Sequence, residues 1–206
     1  PSGELITALR CGRFSLPLEF PLIMGVVNIT PDSFSDGGAF LAPEAAIAQA
    51  GRLVDEGAAI LDIGAESSRP GAQPVSEAEE IARLLPVLRA IRGLPVPVSV
   101  DTRRAEVMRV ALAEGASMIN DIEALAAPRA AKAVAASDCG VCLMHKKGEP
   151  ATMQQDPHYD DVVGEVTAFL AGRLAAAQAA GIDRGRIVVD PGFGFGDTLA
   201  EFPTAG

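Results

Sequence analysis

The sequence predicts an α/β fold built on a parallel sheet, and three observations support this. Short apolar runs rich in Val and Ile alternate with longer Ala-rich stretches that carry Arg and Glu. The apolar runs are near-continuous, as parallel strands buried on both faces require. Hydrophobic residues make up 49% of the chain and aromatic residues only 4%. Ala, Val, Leu and Ile must therefore build the core, as is typical of helices packed on a sheet.

The individual elements follow in order along the chain. Residues up to Phe20 predict a small hairpin before the first long strand. The six strand predictions are Leu22–Asn28, Ala59–Gly64, Val96–Asp101, Ser117–Asp121, Gly140–His145 and Arg186–Asp190. The five helix predictions are Pro43–Glu56, Ser76–Arg92, Thr102–Glu114, Pro128–Ser137 and Asp160–Ala180. This alternation predicts βαβ units within a single domain that covers residues 1–206.

Start and stop residues support these helix boundaries. Pro43 stands in the first turn of the first predicted helix, and Gly57 follows its end. The second predicted helix opens with Ser76 and has Glu79 three positions later, which is the spacing of a capping box. Gly181 follows the longest predicted helix. Each helix therefore has a local reason to begin or end where it does.

Charge and hydropathy exclude several functional classes. The formal net charge is −10, which argues against nucleic-acid binding, because non-specific affinity for polyanions needs clustered Lys and Arg. A small anionic substrate remains compatible, since a local site can be positive on an acidic protein. No apolar segment approaches the ~20 residues of a membrane span. No signal-peptide pattern opens the chain, so a cytoplasmic location is expected.

The three cysteines are predicted to be structural thiols. Cys139 and Cys142 have the C-x-x-C spacing that some metal and redox sites use. However, they lie in or beside the apolar run Gly140–Met144, and positions three apart on a strand face opposite sides. An odd total that includes Cys11 also does not suggest a disulfide framework.

Polar residues stand at the end of every predicted long strand. They are Asn28, Asp62 with Glu66, Asp101, Asn120 with Asp121, His145 and Asp190. Each could instead cap the helix that follows, but six in series favour a shared site. In a (β/α)8 barrel these ends converge on the face that carries active sites, whereas in an open doubly wound sheet they would spread along an edge. The glycine-rich turn Gly192–Gly196 does not match the dinucleotide fingerprint.

The segments after the first two long strands are too long and too varied to be mere connectors. Residues 29–38 and 66–71 carry hydroxyls, carboxylates and one cation, Arg69. The planar fork of Arg69 suits a phosphate, although a surface pair with Glu66 is the alternative. Function placed on loops above a rigid barrel is the expected arrangement.

Several motifs now identify a resemblance. Val27–Gly38 reads VNITPDSFSDGG and Asp62–Gly71 reads DIGAESSRPG; Ser99–Thr102, Ile119–Ile122, Leu143–His145 and Asp190–Gly196 follow in order. Together they resemble dihydropteroate synthase, the folate-pathway enzyme that sulfonamides inhibit. The resemblance implies a (β/α)8 TIM barrel, of which about six βα units are present. It also implies a reaction that joins 4-aminobenzoate to 7,8-dihydropterin-6-ylmethyl diphosphate, with Mg2+.

The resemblance implies roles for the residues at matching positions. Pterin binding falls to Asp101, Asn120, Met144, Asp190 and Phe195. Catalysis, through stabilisation of a cation-like pterin, falls to Asp36, Asp101 and Asp190. Diphosphate binding falls to Asn28, Ser68 and Arg69, with Mg2+ held near Asn28. The 4-aminobenzoate site is shaped by Phe34, Ser68 and Pro70.

The chain departs from the family pattern in places. Ala65 and Ser68 replace a usual Gly and Thr, and Asp197 replaces a usual Lys. Two further strand–helix units are expected to follow residue 206, bringing cationic contacts to pterin and pyrophosphate and helices for a homodimer. Six strands cannot close an eight-stranded barrel, so these residues alone are not expected to form a stable, active enzyme.

Two other functions are compatible with parts of this pattern. A non-catalytic pterin-binding homologue, acting as a binding or interaction protein, would keep the pocket of Asp101, Asn120 and Asp190. A pterin-binding methyltransferase domain of the same superfamily is disfavoured, because that group does not share the loop that carries Phe34.

Overall fold

The computed structural model describes residues 5–29, 42–66, 74–146 and 161–193. A two-stranded antiparallel hairpin comes first, with β1 at Ala8–Cys11 and β2 at Phe14–Pro17. The hairpin predicted before the first long strand is therefore confirmed.

A parallel sheet of six strands, interleaved with five helices, follows in the described residues. The strands are β3 (Met24–Asn28), β4 (Ile60–Gly64), β5 (Val98–Asp101), β6 (Met118–Asp121), β7 (Gly140–Met144) and β8 (Ile187–Asp190). The helices are α1 (Pro43–Asp55), α2 (Glu77–Ile91), α3 (Ala105–Ala113), α4 (Ala130–Ala135) and α5 (Val162–Ala179). All six predicted strands and all five predicted helices are present, with shifted ends.

The order of the strands distinguishes between the two candidate architectures. Strands β3 to β8 pair strictly in chain order, and every pairing is parallel. A doubly wound sheet would instead reverse its strand order at a switch point. Uninterrupted order is that of a (β/α)8 barrel, and six of its strands lie in the described residues. Within those residues β3 pairs only with β4 and β8 only with β7, and Val26 and Val189 on these two strands are exposed.

Two predicted helices begin later than expected, each for a local reason. The predicted start at Thr102 fails because its backbone N–H donates to the Asn120 carbonyl and its hydroxyl accepts from the N–H of Arg104. Helix α3 therefore starts at Ala105. Before α4, Ala124, Leu125 and Arg129 all have positive φ. The chain turns there, so a helix cannot begin at the predicted Pro128.

The core lies on both faces of the sheet. A large apolar cluster fills the space between the helices and the outer face. A smaller cluster on the inner face joins Leu9 and Cys11 of the hairpin to Ile60, Met118 and Cys142. The hairpin thus covers the end of the sheet opposite the polar strand ends. Among the described helices, none has the length and apolar character to cross a membrane.

Candidate active site

The register of the sheet brings four predicted or neighbouring residues into one row. Asn28 pairs with Gly64, Gly64 with Asp101, and Asp101 with Asn120. Residues in register on adjacent strands point to the same face of a sheet. The side chains of Asn28, Asp101 and Asn120 therefore share the inner face at the carboxyl ends of the strands.

Met144 and Asp190 form the next step of this face. They are in register with each other, two residues beyond Cys142 and Val188, which continue the row. The backbone N–H of Gly192 donates to Asp190 Oδ1 at 2.7 Å and so fixes that carboxylate. The five predicted site residues in the described part of the chain, namely Asn28, Asp101, Asn120, Met144 and Asp190, are thus neighbours.

Gly64 leaves the space in which Asn28 and Asp101 approach each other. A Cβ at this position would lie 3.1 Å from Asn28 Oδ1 and 3.8 Å from Asp101 Oδ2. The first distance is tighter than ordinary van der Waals contact. The absence of a side chain at Gly64 therefore lets the amide and the carboxylate face one shared space.

Asp62 also lies at the site, although the sequence marked it only as a strand-end residue and the family resemblance gave it no role. Its side chain is 5% exposed, and its Oδ2 accepts a hydrogen bond from Asn120 Nδ2 at 2.9 Å. It lies two residues before Gly64 on β4, and so on the same face but one layer deeper. That period-two relation was the available signal.

Carboxyl groups cluster in the pocket, and their burial and mutual repulsion oppose ionisation. Burial raises the pKa of Asp101 well above its usual range, and the neighbouring Asp62 and Asp121 raise it further. Burial also raises the pKa of Asp62, against the contacts with Asn120 and Ser99 that lower it. A ligand that brings hydrogen-bond donors or positive charge would favour the ionised forms of both.

An ion-pair network lies just beyond the carboxyl ends of β4 to β7. Its members are Glu66, Glu80, Arg103, Arg104, Glu123 and Lys146. Arg104 binds both oxygens of Glu66, at 2.8 and 3.0 Å, and donates to the Val75 carbonyl at 2.7 Å. It also pairs with Glu80, whose side chain is 1% exposed. Arg104 therefore joins the two chain positions that precede and follow residues 67–73.

Six predicted site residues lie outside the described residues. They are Phe34, Asp36, Ser68, Arg69, Pro70 and Phe195. Their assigned roles therefore stay predictions from the sequence.

The cysteines have the structural role expected of them. Cys11, Cys139 and Cys142 are all free and buried. Burial raises the pKa of Cys11 to about 11 and that of Cys142 to about 12, the latter helped by Asp190 and Asp62. Within the described ranges, no three His, Cys, Asp or Glu side chains cluster so that they could hold a metal.

Comparison with known proteins agrees with this geometry. The family model described as pterin binding enzyme matches residues 24–202. Dihydropteroate synthase of Neisseria meningitidis serogroup C is 52% identical over 193 residues, which are 92% of this chain and 68% of that protein. The chain thus spans about two thirds of the length of this relative.

Solved structures show the same similarity. Burkholderia cenocepacia dihydropteroate synthase complexed with 7,8-dihydropteroate is 49% identical with a TM-score of 0.83, covering 95% of this chain and 66% of that one. Xanthomonas albilineans dihydropteroate synthase with 4-aminobenzoic acid is 50% identical with a TM-score of 0.85, covering 96% and 70%.

Proposed function

The chain belongs to the dihydropteroate synthase family of pterin-binding enzymes, and we propose that it performs the family's transfer reaction. In this reaction 7,8-dihydropterin-6-ylmethyl diphosphate and 4-aminobenzoate give 7,8-dihydropteroate and pyrophosphate. The observation that carries the proposal is the row of Asn28, Asp101 and Asn120 beside the pair of Met144 and Asp190. That row supplies hydrogen-bond acceptors at one end of the barrel interior.

The acceptors of the pocket suit a pterin ring. Its edge presents ring N–H and amino groups, which are donors that carboxylate and amide oxygens accept. Asp101, Asn120 and Asp190 are assigned to this edge, and Met144 packs against the ring. Phe195 is assigned to the ring by the family resemblance. A pocket with few polar groups in fixed places is typical of small-molecule sites.

The same carboxylates assist bond cleavage. When the methylene C–O bond to the diphosphate breaks, positive charge develops on the pterin. Asp101 and Asp190, with Asp36 by resemblance, place negative charge where that cation forms, and preorganised charge is usually a leading catalytic term. The amine of 4-aminobenzoate then attacks the methylene carbon. As the C–N bond forms, the nitrogen gives up one proton to the released pyrophosphate or to water.

The diphosphate end is assigned to Asn28, Ser68 and Arg69. Asn28 fits a Mg2+ site, because its Oδ1 faces the space left by Gly64 and Mg2+ is bound by oxygen ligands. Mg2+ takes one or two protein oxygens and keeps substrate phosphates and waters. When bound, it would neutralise charge on the departing pyrophosphate. Phe34, Ser68 and Pro70 are assigned to 4-aminobenzoate, and sulfonamides are expected to compete there.

The oligomeric state and the cellular location of the protein are also proposals. We assign a homodimer and a cytoplasmic location from the family resemblance and the sequence. Sedimentation of the purified protein tests the first, since a single monomeric boundary at all concentrations would contradict it.

The test of the proposed function is pyrophosphate release in the presence of both substrates and Mg2+. We expect release to depend on both substrates and to fall by at least about 100-fold in Asp101→Asn. The substitution removes the negative charge beside the developing cation and replaces one acceptor oxygen with an NH2 donor, which faces the donors of the pterin edge. The control is Asp55→Asn, which changes an exposed carboxylate on α1. Binding of the pterin diphosphate without any pyrophosphate release would instead support the non-catalytic alternative.

A further inference from the structure

A buried hydrogen bond lies directly beneath the pocket. Asp62 on β4 accepts from the amide nitrogen of Asn120 on β6 at 2.9 Å, so the contact reaches across β5. Ser99, on the intervening strand, is in register with Asp62 and fully buried. The pair therefore forms a layer below the row of Gly64, Asp101 and Asn120.

This contact determines which end of the Asn120 amide faces the pocket. A side-chain amide has one acceptor oxygen and one NH2 donor group. The nitrogen is committed to Asp62, and Asn120 Oδ1 is shielded from solvent with no hydrogen-bond partner among the described residues. A buried acceptor without a partner is costly, so this oxygen is kept available for a ligand that brings a donor.

The opposite orientation would reverse the recognition. If the amide turned over, its NH2 group would face the pocket and meet the N–H and amino donors of a pterin edge. Two donors facing each other leave both unpaired, and sites built on buried hydrogen bonds reject mismatched groups strongly. An ionised carboxylate accepts hydrogen bonds but cannot donate them. A reversed amide would present its oxygen to Asp62 and find no donor there, so Asp62 prevents that orientation.

We propose that Asp62 is a positioning residue for pterin recognition: through Oδ2 it holds the Asn120 amide so that Asn120 Oδ1 accepts a hydrogen bond from the substrate. The inference rests on the proposed function, because it takes the pterin diphosphate as the substrate. Asp62 acts through Asn120 and has no assigned contact with the reacting atoms.

A double-mutant cycle tests this role. Asp62→Leu removes the acceptor with little change in shape, and Asn120→Ala removes the positioned amide. We expect each single substitution to raise the KM for the pterin diphosphate by about tenfold or more, as loss of one buried hydrogen bond implies. The KM of the double variant for the pterin diphosphate should be no higher than that of Asn120→Ala alone, because the effects of residues that act as a unit do not add. The KM for 4-aminobenzoate should stay unchanged.

Two further variants separate positioning from charge and from local damage. Asp62→Asn keeps an acceptor oxygen but adds an NH2 group that can donate to a reversed Asn120 amide, so we expect its KM to lie between those of the wild type and Asp62→Leu. Ser99→Ala changes a buried neighbour of Asp62 and should stay within about threefold of the wild-type KM, because the Asn120 contact survives. Calorimetric titration with the pterin diphosphate measures the dissociation constant of each variant, and these constants should change in the same order as the KM values.

Specific outcomes would overturn the proposal. Additive effects of Asp62→Leu and Asn120→Ala, or an effect of Asp62→Asn as large as that of Asp62→Leu, would show that the carboxylate acts through charge or packing. If the wild-type protein turned over its substrates and Asp62→Leu had the same KM, this inference would be refuted, but the proposed function would not. A wild-type protein that neither binds the pterin diphosphate nor releases pyrophosphate would refute the proposed function, and this inference with it.

Discussion

At the scale of single residues, the site requires that position 64 has no side chain. The missing Cβ of Gly64 is what keeps Asn28 Oδ1 and Asp101 Oδ2 directed into one space. A side-chain atom on residue 64 would displace the amide oxygen of Asn28, which is the proposed magnesium ligand. The proposed metal and pterin sites therefore share one steric requirement.

We predict that Gly64→Ala raises the Mg2+ concentration needed for half-maximal activity on the order of tenfold, because small misplacements of positioned groups are costly. A magnesium titration of pyrophosphate release measures this. The control is Gly51→Ala in α1, where a Cβ would meet nothing within 4 Å. Equal magnesium requirements in the two variants would contradict the assignment of Asn28.

Asp121 links a single carboxyl group to the pH dependence of stability. It is fully buried, and its two oxygens accept from the N–H groups of Glu123 and Leu125, both at 2.8 Å. Burial raises its pKa to about 6, despite these two bonds. The folded state therefore binds this proton more tightly than the unfolded state, in which the pKa is about 3.9.

The expected sign follows from linkage. The stabilising contribution of the Asp121 proton is complete below about pH 4 and is lost as the pH rises through about 6, a difference of about 3 kcal/mol. We predict that Asp121→Asn makes the free energy of unfolding depend less on pH between 4 and 7. Urea unfolding at several pH values measures this. Glu56→Gln, at an exposed position at the end of α1, should leave the wild-type pH dependence intact.

At the scale of elements, Arg104 connects β4, α2 and the start of α3. It reaches Glu66 just after β4, the Val75 carbonyl just before α2, and Glu80 inside α2. Burial raises the pKa of Glu80, and hydrogen bonds with Thr102 and Arg104 partly offset this increase. One guanidinium therefore fixes both chain positions that flank residues 67–73, in which Ser68, Arg69 and Pro70 lie.

We predict that Arg104→Met lowers the free energy of unfolding by about 3 kcal/mol, because it leaves the Glu80 carboxylate buried and unpaired. The KM for 4-aminobenzoate should also rise, since the flanks of residues 67–73 lose their connection. Thermal unfolding and steady-state kinetics measure the two effects. Arg109→Met, which removes an exposed pair with Glu106, is the control and should change neither.

A second substitution tests the cause of the destabilisation. Adding Glu80→Met to Arg104→Met removes the unpaired carboxylate, so stability should recover in part. If the double variant were less stable than Arg104→Met alone, the buried charge would not be the reason.

At the scale of the whole molecule, the hairpin of β1 and β2 docks beneath the sheet, and it approaches β7 most tightly at Gly140. A Cβ on Gly140 would lie 2.6 Å from Cys11 Sγ and 3.2 Å from the Arg10 carbonyl oxygen. The hairpin also contributes Leu9 and Cys11 to the inner apolar cluster. The closure of this end of the interior therefore depends on a position without a side chain.

We predict that Gly140→Ala destabilises the protein by about 1–3 kcal/mol, the usual cost of overpacking a filled site. Adding Cys11→Ala should restore part of the loss, because it removes the sulfur atom that the new methyl group meets. The midpoint of thermal unfolding measures both. Gly172→Ala in α5, where a Cβ meets nothing within 4 Å, should not destabilise.

The sequence by itself determined the order and type of the elements, and it predicted the five residues that the sheet brings together at its carboxyl edge. Near-continuous apolar runs identify buried parallel strands, and the polar residue that ends each run identifies the carboxyl edge. Both patterns are local, so they can be recognised in the sequence without knowledge of the fold. Element ends were less accurate where a contact between strands intervened, as when Thr102 bonded to Asn120 instead of starting α3.

Only the tertiary structure decided how these residues meet. The register aligned Asn28, Gly64, Asp101 and Asn120, and the strict strand order favoured a barrel over an open sheet. The contact of Asp62 with Asn120 joins residues 58 positions apart, and that of Arg104 with Glu66 joins residues 38 apart. Such contacts depend on pairing between distant strands and helices, so no local pattern in the chain can specify them.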